Sequence, residues 1–143
     1  MADNLKLEVK GDEELLRAFN NTPAIQAEVT QAVQKGQVAV QQRAATYPPA
    51  PPNSTYRRTR RLGNSWDIEP VQMLGGGVKG LVTNPTEYGG YVHNPATEQP
   101  PQAQVHQGRW ATTVQILAEK KQQIDGFFEA AVARITAILG GGR

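Results

Sequence analysis

Four arginines lie close together in a part of the chain that contains no acidic residue. Arg57, Arg58, Arg60 and Arg61 fall within residues 48–63, which has a local charge of +4 in a chain whose net charge is only +2. Guanidinium groups form charge-assisted and often bidentate hydrogen bonds with carboxylates and phosphates. The cluster therefore favours contact with an acidic protein surface. A nucleic-acid backbone and a solvated loop that binds neither are the two alternatives left open.

The chain's two histidines flank a polar segment. His93 and His106, with Glu98 between them, offer two imidazoles and a carboxylate, and such groups bind transition metals. The three residues lack helical ligand spacing, and the polar segment at 94–107 has little apolar surface to bury. We therefore predict polar loop histidines, with no metal site and no cofactor. A small metal-dependent enzyme built on these residues is the weakest hypothesis.

Other catalytic signatures lack the context that would give them meaning. The run GGGVKG at 75–80 matches G-x-G-x-x-G, but LVTNP follows it, and a dinucleotide site needs a helix there. This run therefore predicts the turn of a hairpin. The serines, Ser54 and Ser65, are not in a G-x-S-x-G elbow, and the carboxylates form no paired-acid signature. These observations argue against an enzyme.

Composition excludes several further classes of protein. The 143 residues include no cysteine, which excludes a disulfide framework, thiolate zinc sites and cysteine nucleophiles. No uninterrupted apolar run approaches the roughly 20 residues that span a bilayer, so we do not expect a membrane protein. The length predicts one domain over residues 1–143.

Hydrophobic periodicity predicts the first half of the fold. Leu5, Leu7 and Val9 alternate with charged residues, as in a half-buried strand. Asp12 is placed to cap a short helix. Thr22 and Pro23 then predict the start of a long amphipathic helix over residues 23–46, with Gly36 as a thin point in its apolar stripe. After this helix, the proline run and the arginines predict an exposed arm at 48–63.

The second half predicts a hairpin, a long loop and a final helix. Residues 65–83 predict a hairpin, in which Trp66 and Ile68 alternate with acidic residues until Pro70, which indicates an edge strand or a bulge. A short turn or helix carries Tyr88, Tyr91 and Val92, and residues 94–107 form a long loop. Apolar residues at alternating spacings of four and three predict a helix over 110–139, beginning with Trp110, and a frayed tail at 140–143.

These elements predict an α+β fold. The N-terminal strand and the hairpin form a small antiparallel sheet, packed by two long helices and connected by long polar loops. The helices have more apolar surface than three strands cover easily. Self-association is one solution to this mismatch, and packing of the two helices on each other is the other.

Two stretches of the chain resemble a family of proteins. TRRLGNSW at 59–66 is similar to a TG-x-L-x-x-S segment, although arginine stands at Arg60 where the family has glycine. YGGYVH at 88–93 and QVHQGRW at 104–110 resemble a Y-x-x-Y-V turn and an H-x-G-R-W motif before the last helix. The family comprises small tailed-phage proteins of the head–tail junction, variously called neck, tail-completion or minor tail proteins. The order of elements resembles the family over nearly the whole chain.

The resemblance implies a structural role. Family members form rings, here expected to be hexamers, which join the capsid connector to the tail and let DNA pass. The implied partners are copies of the chain, tail-tube and connector proteins, and non-specifically the DNA in the channel. The implied location is the virion, and the host cytoplasm during assembly; tail-terminator and neck-adaptor roles both stay open. The expected contact residues are Tyr56, Arg57, Arg58, Arg60, Arg61, Leu62, Trp66, Tyr88, Tyr91, His93, His106, Arg109 and Trp110.

Overall fold

A computed structural model describes residues 3–10, 13–50, 52–53, 60–74 and 77–140. The elements follow in the order β1 (Asp3–Lys10), α1 (Glu13–Asn21), α2 (Pro23–Ala44), α3 (Arg61–Asn64), β2 (Asp67–Ile68), β3 (Gln72–Leu74), β4 (Gly77–Asn84), α4 (Gly89–His93) and α5 (Thr113–Gly140). A short 3-10 helix at Gln104–His106 lies between α4 and α5. This is the α+β fold that the sequence predicts. The predicted cap at Asp12, the turn residues 75–76 and the tail residues 141–143 lie outside the described residues.

The sheet is antiparallel, with β4 at its centre. β1 pairs with β4 along one side, and β2 and β3 pair in succession with the other side. Leu5 of β1 lies opposite Val82 of β4, and both side chains are fully buried. Residues opposite each other in an antiparallel pair point to the same face of the sheet, so this face covers the core.

The predicted first arm of the hairpin is divided into β2 and β3. Pro70 lies between them, where its missing N–H and fixed φ interrupt the ladder, and the sheet therefore has four strands instead of three. The Glu69 N–H still donates to the Leu81 carbonyl at 3.0 Å. Of the two alternating apolar residues, Trp66 is buried, whereas Ile68 is 37% exposed at the sheet edge.

Both long helices are present, with shifted ends. α2 ends at Ala44, two residues before the predicted end. α5 begins at Thr113, so the placement of Trp110 in this helix is wrong. The start is fixed by a capping box: Thr112 Oγ1 accepts from the Gln115 N–H at 3.2 Å, and Gln115 Oε1 accepts from the Thr112 N–H at 2.8 Å. Within the described ranges, no helix combines the length and apolar character needed to cross a bilayer.

The helices form one layer on the sheet, displaced towards β1. α2 lies over β4 and also contacts β1 and β2, whereas α5 contacts β1 and α2. The helices therefore pack both on the sheet and on each other. At Gly36 of α2, an added Cβ would lie 3.0 Å from Leu7 Cδ2 and 3.7 Å from Ile124 Cγ1. The thin point in the α2 stripe is therefore where side chains of β1 and α5 approach the helix.

A buried glutamine fixes α2 on the sheet. The Gln37 side chain is fully buried, and its Nε2 donates to the carbonyls of Glu69 and Leu81, both at 3.0 Å. One turn later, Gln41 Nε2 donates to the Trp66 carbonyl at 2.8 Å. These bonds satisfy backbone carbonyls beside the break at Pro70. α2 is therefore held in register on the sheet by hydrogen bonds as well as by apolar contact.

The predicted arm is irregular at its start but not at its end. Residues 48–50 and 60 lie outside helices and strands, while residues 61–63 belong to α3. Leu62 is buried, because α3 packs against the core, and the Gly63 N–H donates to the Tyr47 hydroxyl at 3.0 Å. The expectation of an exposed arm through residue 63 is therefore wrong for these last residues.

We predict that Gly80→Ala destabilises the protein by about 1–3 kcal/mol, the range typical of overpacking a core. A Cβ at Gly80 would lie 2.5 Å from Val33 Cγ1 and 2.9 Å from Gln37 Cδ, so α2 would have to lift off β4. Urea unfolding followed by circular dichroism measures the change. Gly126→Ala is the control: no atom lies within 4 Å of its added Cβ, and alanine raises helix stability by up to about 1 kcal/mol. Equal stability of the two variants would contradict this description of the α2–β4 contact.

Candidate functional site

Ten of the predicted contact residues fall within the described part of the chain; Tyr56, Arg57 and Arg58 lie outside it. The ten belong to one connected region around α3, α4 and the segment before α5. They differ in accessibility. Arg60, Arg61, Tyr91 and Arg109 are exposed, Tyr88, His106 and Trp110 are half-buried, and Leu62, Trp66 and His93 are buried.

An aromatic cluster forms the centre of this region. It consists of Tyr47, Trp66, His93, His106 and Trp110. The ring centroids of Trp66 and His93 are 5.3 Å apart, those of His93 and Trp110 are 5.7 Å apart, and those of Tyr47 and Trp110 are 5.0 Å apart, all in edge-to-face arrangements. His106 lies against the outer side of Trp110 at 6.2 Å. Such arrangements stabilise aromatic pairs beyond the burial of their area.

His93 is the buried centre of the cluster, so the prediction that it is a polar loop histidine is wrong. It lies in the last turn of α4 with only 2% of its surface exposed. Its Nδ1 is 2.8 Å from the Ala111 carbonyl, and because a carbonyl can only accept, Nδ1 carries the proton of the neutral ring. Nε2 is buried without a hydrogen-bond partner in the described residues. His93 therefore joins α4 to the start of α5 as a neutral donor.

Burial lowers the pKa of His93. The hydrogen bond to Ala111 opposes this shift, and the nearby Arg43 and His106 add to it. The pKa of the half-buried His106 is also lowered, by burial and then by Arg109. Protonating His93 would place a second N–H, on Nε2, where no acceptor is found among the described residues. Protonation of His93 therefore disfavours this packing.

The predicted long loop is anchored to the cluster. Gln102 Nε2 donates to the Val92 carbonyl at 2.6 Å and to the Trp110 carbonyl at 2.8 Å. The Ala103 N–H donates to the Tyr91 carbonyl at 2.7 Å, and Asn94 is buried. These bonds hold residues 94–110 against α4. The segment therefore packs on the subunit more closely than its polar composition indicates.

Two residues that the sequence does not single out connect this region. Asn84 Nδ2 donates to the Leu62 carbonyl at 2.9 Å, and Asn84 Oδ1 accepts from the N–H and the hydroxyl of Thr86. Tyr47 supports α3 through its hydroxyl and Trp110 through its ring. Asn84 precedes a proline, which indicates a turn but not burial. Tyr47 precedes the proline run and has no distinguishing pattern around it.

The exposed rim of the cluster is basic. The Arg60 guanidinium lies 5.5 Å from the Tyr47 ring centre, and that of Arg61 lies 5.8 Å from the Tyr88 ring centre. Guanidinium groups over aromatic rings gain cation–π attraction, and guanidinium is a natural donor to carboxylates and phosphates. The rim can therefore bind carboxylates or phosphates.

A shallow pocket of about 400 Å³ lies beside the rim, lined partly by Arg109, Trp110 and Glu119. One wall is an ion pair, in which Arg43 Nε lies 2.5 Å from Glu119 Oε2. The hydrogen bond from Arg43 holds the pKa of Glu119 below its ordinary value. This wall therefore keeps its charge pair down to acidic pH.

The metal hypothesis finds no support in this geometry. His93 uses Nδ1 for the Ala111 carbonyl, and no group of three histidines or carboxylates in the described residues could hold a metal ion.

Burial also changes the contact prediction for Leu62, Trp66 and His93. Because these side chains pack inside the subunit, they can shape an interface but cannot present a surface to a partner.

Comparison with known proteins adds no relative. No protein-family model matches the chain, and no curated protein or solved structure is similar enough to count as a match. The membership of the phage family that the motifs indicate therefore stays a prediction.

We predict that the free energy of unfolding falls as the pH is lowered from about 7.5 to 5.5, a window around the ordinary histidine pKa of about 6.5. The lowered pKa of His93 means that the unfolded chain binds a proton in this window and the folded chain does not, so acid favours unfolding. Urea unfolding at several pH values measures the slope, which should be smaller in His93→Phe. His106→Gln is the control, because His106 is half-buried and its removal should change the slope less. An unchanged slope in His93→Phe would contradict the prediction.

Proposed function

We propose that this chain is a non-enzymatic structural protein of a tailed phage, and that copies of it form a ring at the head–tail junction. The ring joins the tail to the capsid connector and lets DNA pass, either as a tail-completion or terminator protein or as a neck protein. Its partners are other copies, tail-tube proteins and connector proteins. It resides in the virion, and in the host cytoplasm during assembly.

The observation that carries the proposal is exposed apolar surface on both sides of the helix layer. One side presents Val114, Val132 and Leu139 of α5, which are 56–59% exposed; the other presents Val38 of α2, Ile68 and Met73, which are 37–54% exposed. Single exposed apolar residues are ordinary, but two separate groups of them favour protein contacts. Two different surfaces on one subunit give head-to-tail contacts, which close into a ring when the rotation between copies permits.

The resemblance alone supplies the location at the head–tail junction; the geometry bears on the motifs that carry the resemblance. The two motif-bearing stretches are far apart in the sequence, yet they supply neighbouring members of the aromatic cluster: Trp66 from the first, His93 and Trp110 from the second. Side chains that pack against each other limit which residue types can stand at each of their positions. This explains physically why both stretches would accompany the same fold.

Binding to a nucleic-acid backbone is the second candidate function. It is favoured by the exposed Arg60 side chain over the Tyr47 ring, and by the four arginines that the sequence places within residues 57–61. Such binding would be independent of base sequence and sensitive to salt.

The purified protein should form rings. We expect light scattering over a dilution series to show a mass several times that of the 15.6 kDa subunit, rising with concentration to a plateau. Electron micrographs of the plateau species should show a closed annulus with a central opening, with six subunits as the expected number. A mass of one subunit at every concentration, with no annular particles, would contradict the proposal.

A quadruple variant separates the two candidate functions. We expect Arg57→Gln, Arg58→Gln, Arg60→Gln and Arg61→Gln together to leave ring formation intact, to weaken contact with acidic partner proteins, and to reduce no more than a weak, salt-sensitive retention of duplex DNA. A nucleic-acid module would instead bind DNA tightly before the change. Its slope of log affinity against log salt would then fall by about 0.9 for each phosphate that the variant no longer neutralises. Lys35→Gln with Lys120→Gln is the control for a general decrease in positive charge. Gel-shift titrations at several salt concentrations measure the difference.

A further inference from the structure

One exposed flank of α5 faces away from α2. Arg134 and Glu119 mark the side that faces α2, because they form ion pairs with Glu28 and Arg43 of that helix. Helix residues are rotated by about 100° each, so Val132 lies roughly half a turn from Arg134. Positions 4, 7, 11 or 18 residues from Val132 lie within about 40° of its direction. We call this flank the α5 stripe. Its exposed members are Val114, Lys121, Asp125, Val132 and Leu139, and the half-buried Phe128 lies where the stripe meets the core.

The α5 stripe is suited to burial against another protein surface. Its central charges neutralise each other, since Lys121 Nζ lies 2.6 Å from Asp125 Oδ2. Beside this pair, a groove of about 440 Å³ is lined by Asp125, Phe128, Glu129 and Val132. An apolar side chain can pack against the apolar wall of this groove. The neighbouring Lys121–Asp125 pair stays paired when it is covered, so neither of these two charges is buried alone.

The opposite side of the helix layer has an open shelf. On α2, Gly36 faces α5, and Val38 lies about 200° further round the helix, on the far flank. Gln41, one turn after Val38, reaches the Trp66 carbonyl, so this flank is directed towards β2. The helices contact β1, β4 and β2 but have little contact with β3, so this edge of the sheet is least covered at β3. The shelf consists of Val38, Ile68 and Met73.

From these two flanks we infer that the α5 stripe of one copy packs on the shelf of the next copy. The inference rests on the proposed ring and names the surfaces that form it. In the subunit, α5 packs along one flank of α2; in the assembly, the α5 of a neighbour takes the corresponding place along the other flank. Met73 is 54% exposed, and its flexible side chain is the best fit to the groove beside Val132. The helix layer then continues from subunit to subunit as α5, α2, α5, α2.

The sheets meet in the same arrangement. Because α5 lies over β1, placing it on a neighbour's shelf brings β1 towards the outer edge of the neighbour's β2 and β3. Within the described residues, β1 has a strand partner on one side only, as do β2 and β3. Unpaired strand edges favour pairing with another chain. The contact therefore brings together a helix flank and a sheet edge, and it joins unlike surfaces, as ring closure requires.

Cysteine pairs test which surfaces meet, because the natural chain contains no cysteine. Val132→Cys protein is mixed with Met73→Cys protein and treated with a short bis-maleimide, and the products are separated on a denaturing gel. We expect a cross-linked dimer from the mixture and little from either protein alone. The double variant should give a ladder that ends at the number of subunits in the ring.

Ala130→Cys is the matched control for Val132→Cys. Ala130 is also exposed on α5, but it lies about half a turn from Val132. Its mixture with Met73→Cys should give roughly tenfold less dimer, because only docked thiols have a high effective concentration. Correspondingly, Val132→Glu should raise the concentration needed for assembly roughly tenfold, the effect of losing about 1.4 kcal/mol, whereas Ala130→Glu should leave it unchanged.

The outcomes distinguish the inference from the proposed function. Rings in which neither Val132 nor Met73 links to the other would overturn the inference and leave the ring proposal intact. Efficient linking of Val132→Cys to itself alone would show that like surfaces meet, and would also overturn the inference. A single-subunit mass with no cross-links in any mixture would overturn both.

Discussion

The packing of α2 on β4 is the contact on which the rest of the structure depends. Gly80 has no side chain where Val33 and Gln37 approach the strand. Gln37 donates one hydrogen bond to the Glu69 carbonyl, between β2 and β3, and one to the Leu81 carbonyl of β4. Close approach and hydrogen bonding act together, because the amide reaches those carbonyls only when the helix lies low on the strand. This position also determines which flank of α2 meets α5 and which remains open. The distribution of exposed apolar surface therefore follows from one strand glycine and one buried glutamine.

The aromatic cluster holds the segment before α5 in place, as the α2–β4 contact holds α2 on the sheet. Residues 94–110 contain few apolar side chains, yet they are held by bonds from Gln102 and by the packing of Trp110 against His93 and Tyr47. A polar segment is ordered here by satisfying backbone carbonyls instead of by burying hydrocarbon. The basic rim outside the cluster consequently lies against the rings of Tyr47 and Tyr88, at the exposed surface of this region.

The sequence predicts those parts of the fold that local periodicity determines. The alternation through Leu5 and Leu7, the helical stripe after Pro23 and the break at Pro70 each depend on nearby residues, and the predicted elements are present. The predictions that were wrong concern features that depend on contacts between residues far apart in the sequence. His93 is polar and stands in a polar setting, so nothing local indicates that two tryptophans enclose it. Trp110 continues the helical spacing of α5, but the Thr112–Gln115 capping box starts the helix after it. Gln37 and Gln102 act through backbone carbonyls, which have no signature in side-chain patterns.

The enclosure of His93 has a spectroscopic consequence. The chain contains two tryptophans, and both rings lie edge-to-face with this imidazole. Tryptophan fluorescence therefore originates entirely beside one histidine, and a protonated imidazole quenches indole emission more strongly than a neutral one. The protein thus contains its own optical reporter for the region where α4, the anchored loop and the start of α5 meet, and that reporter needs no introduced dye.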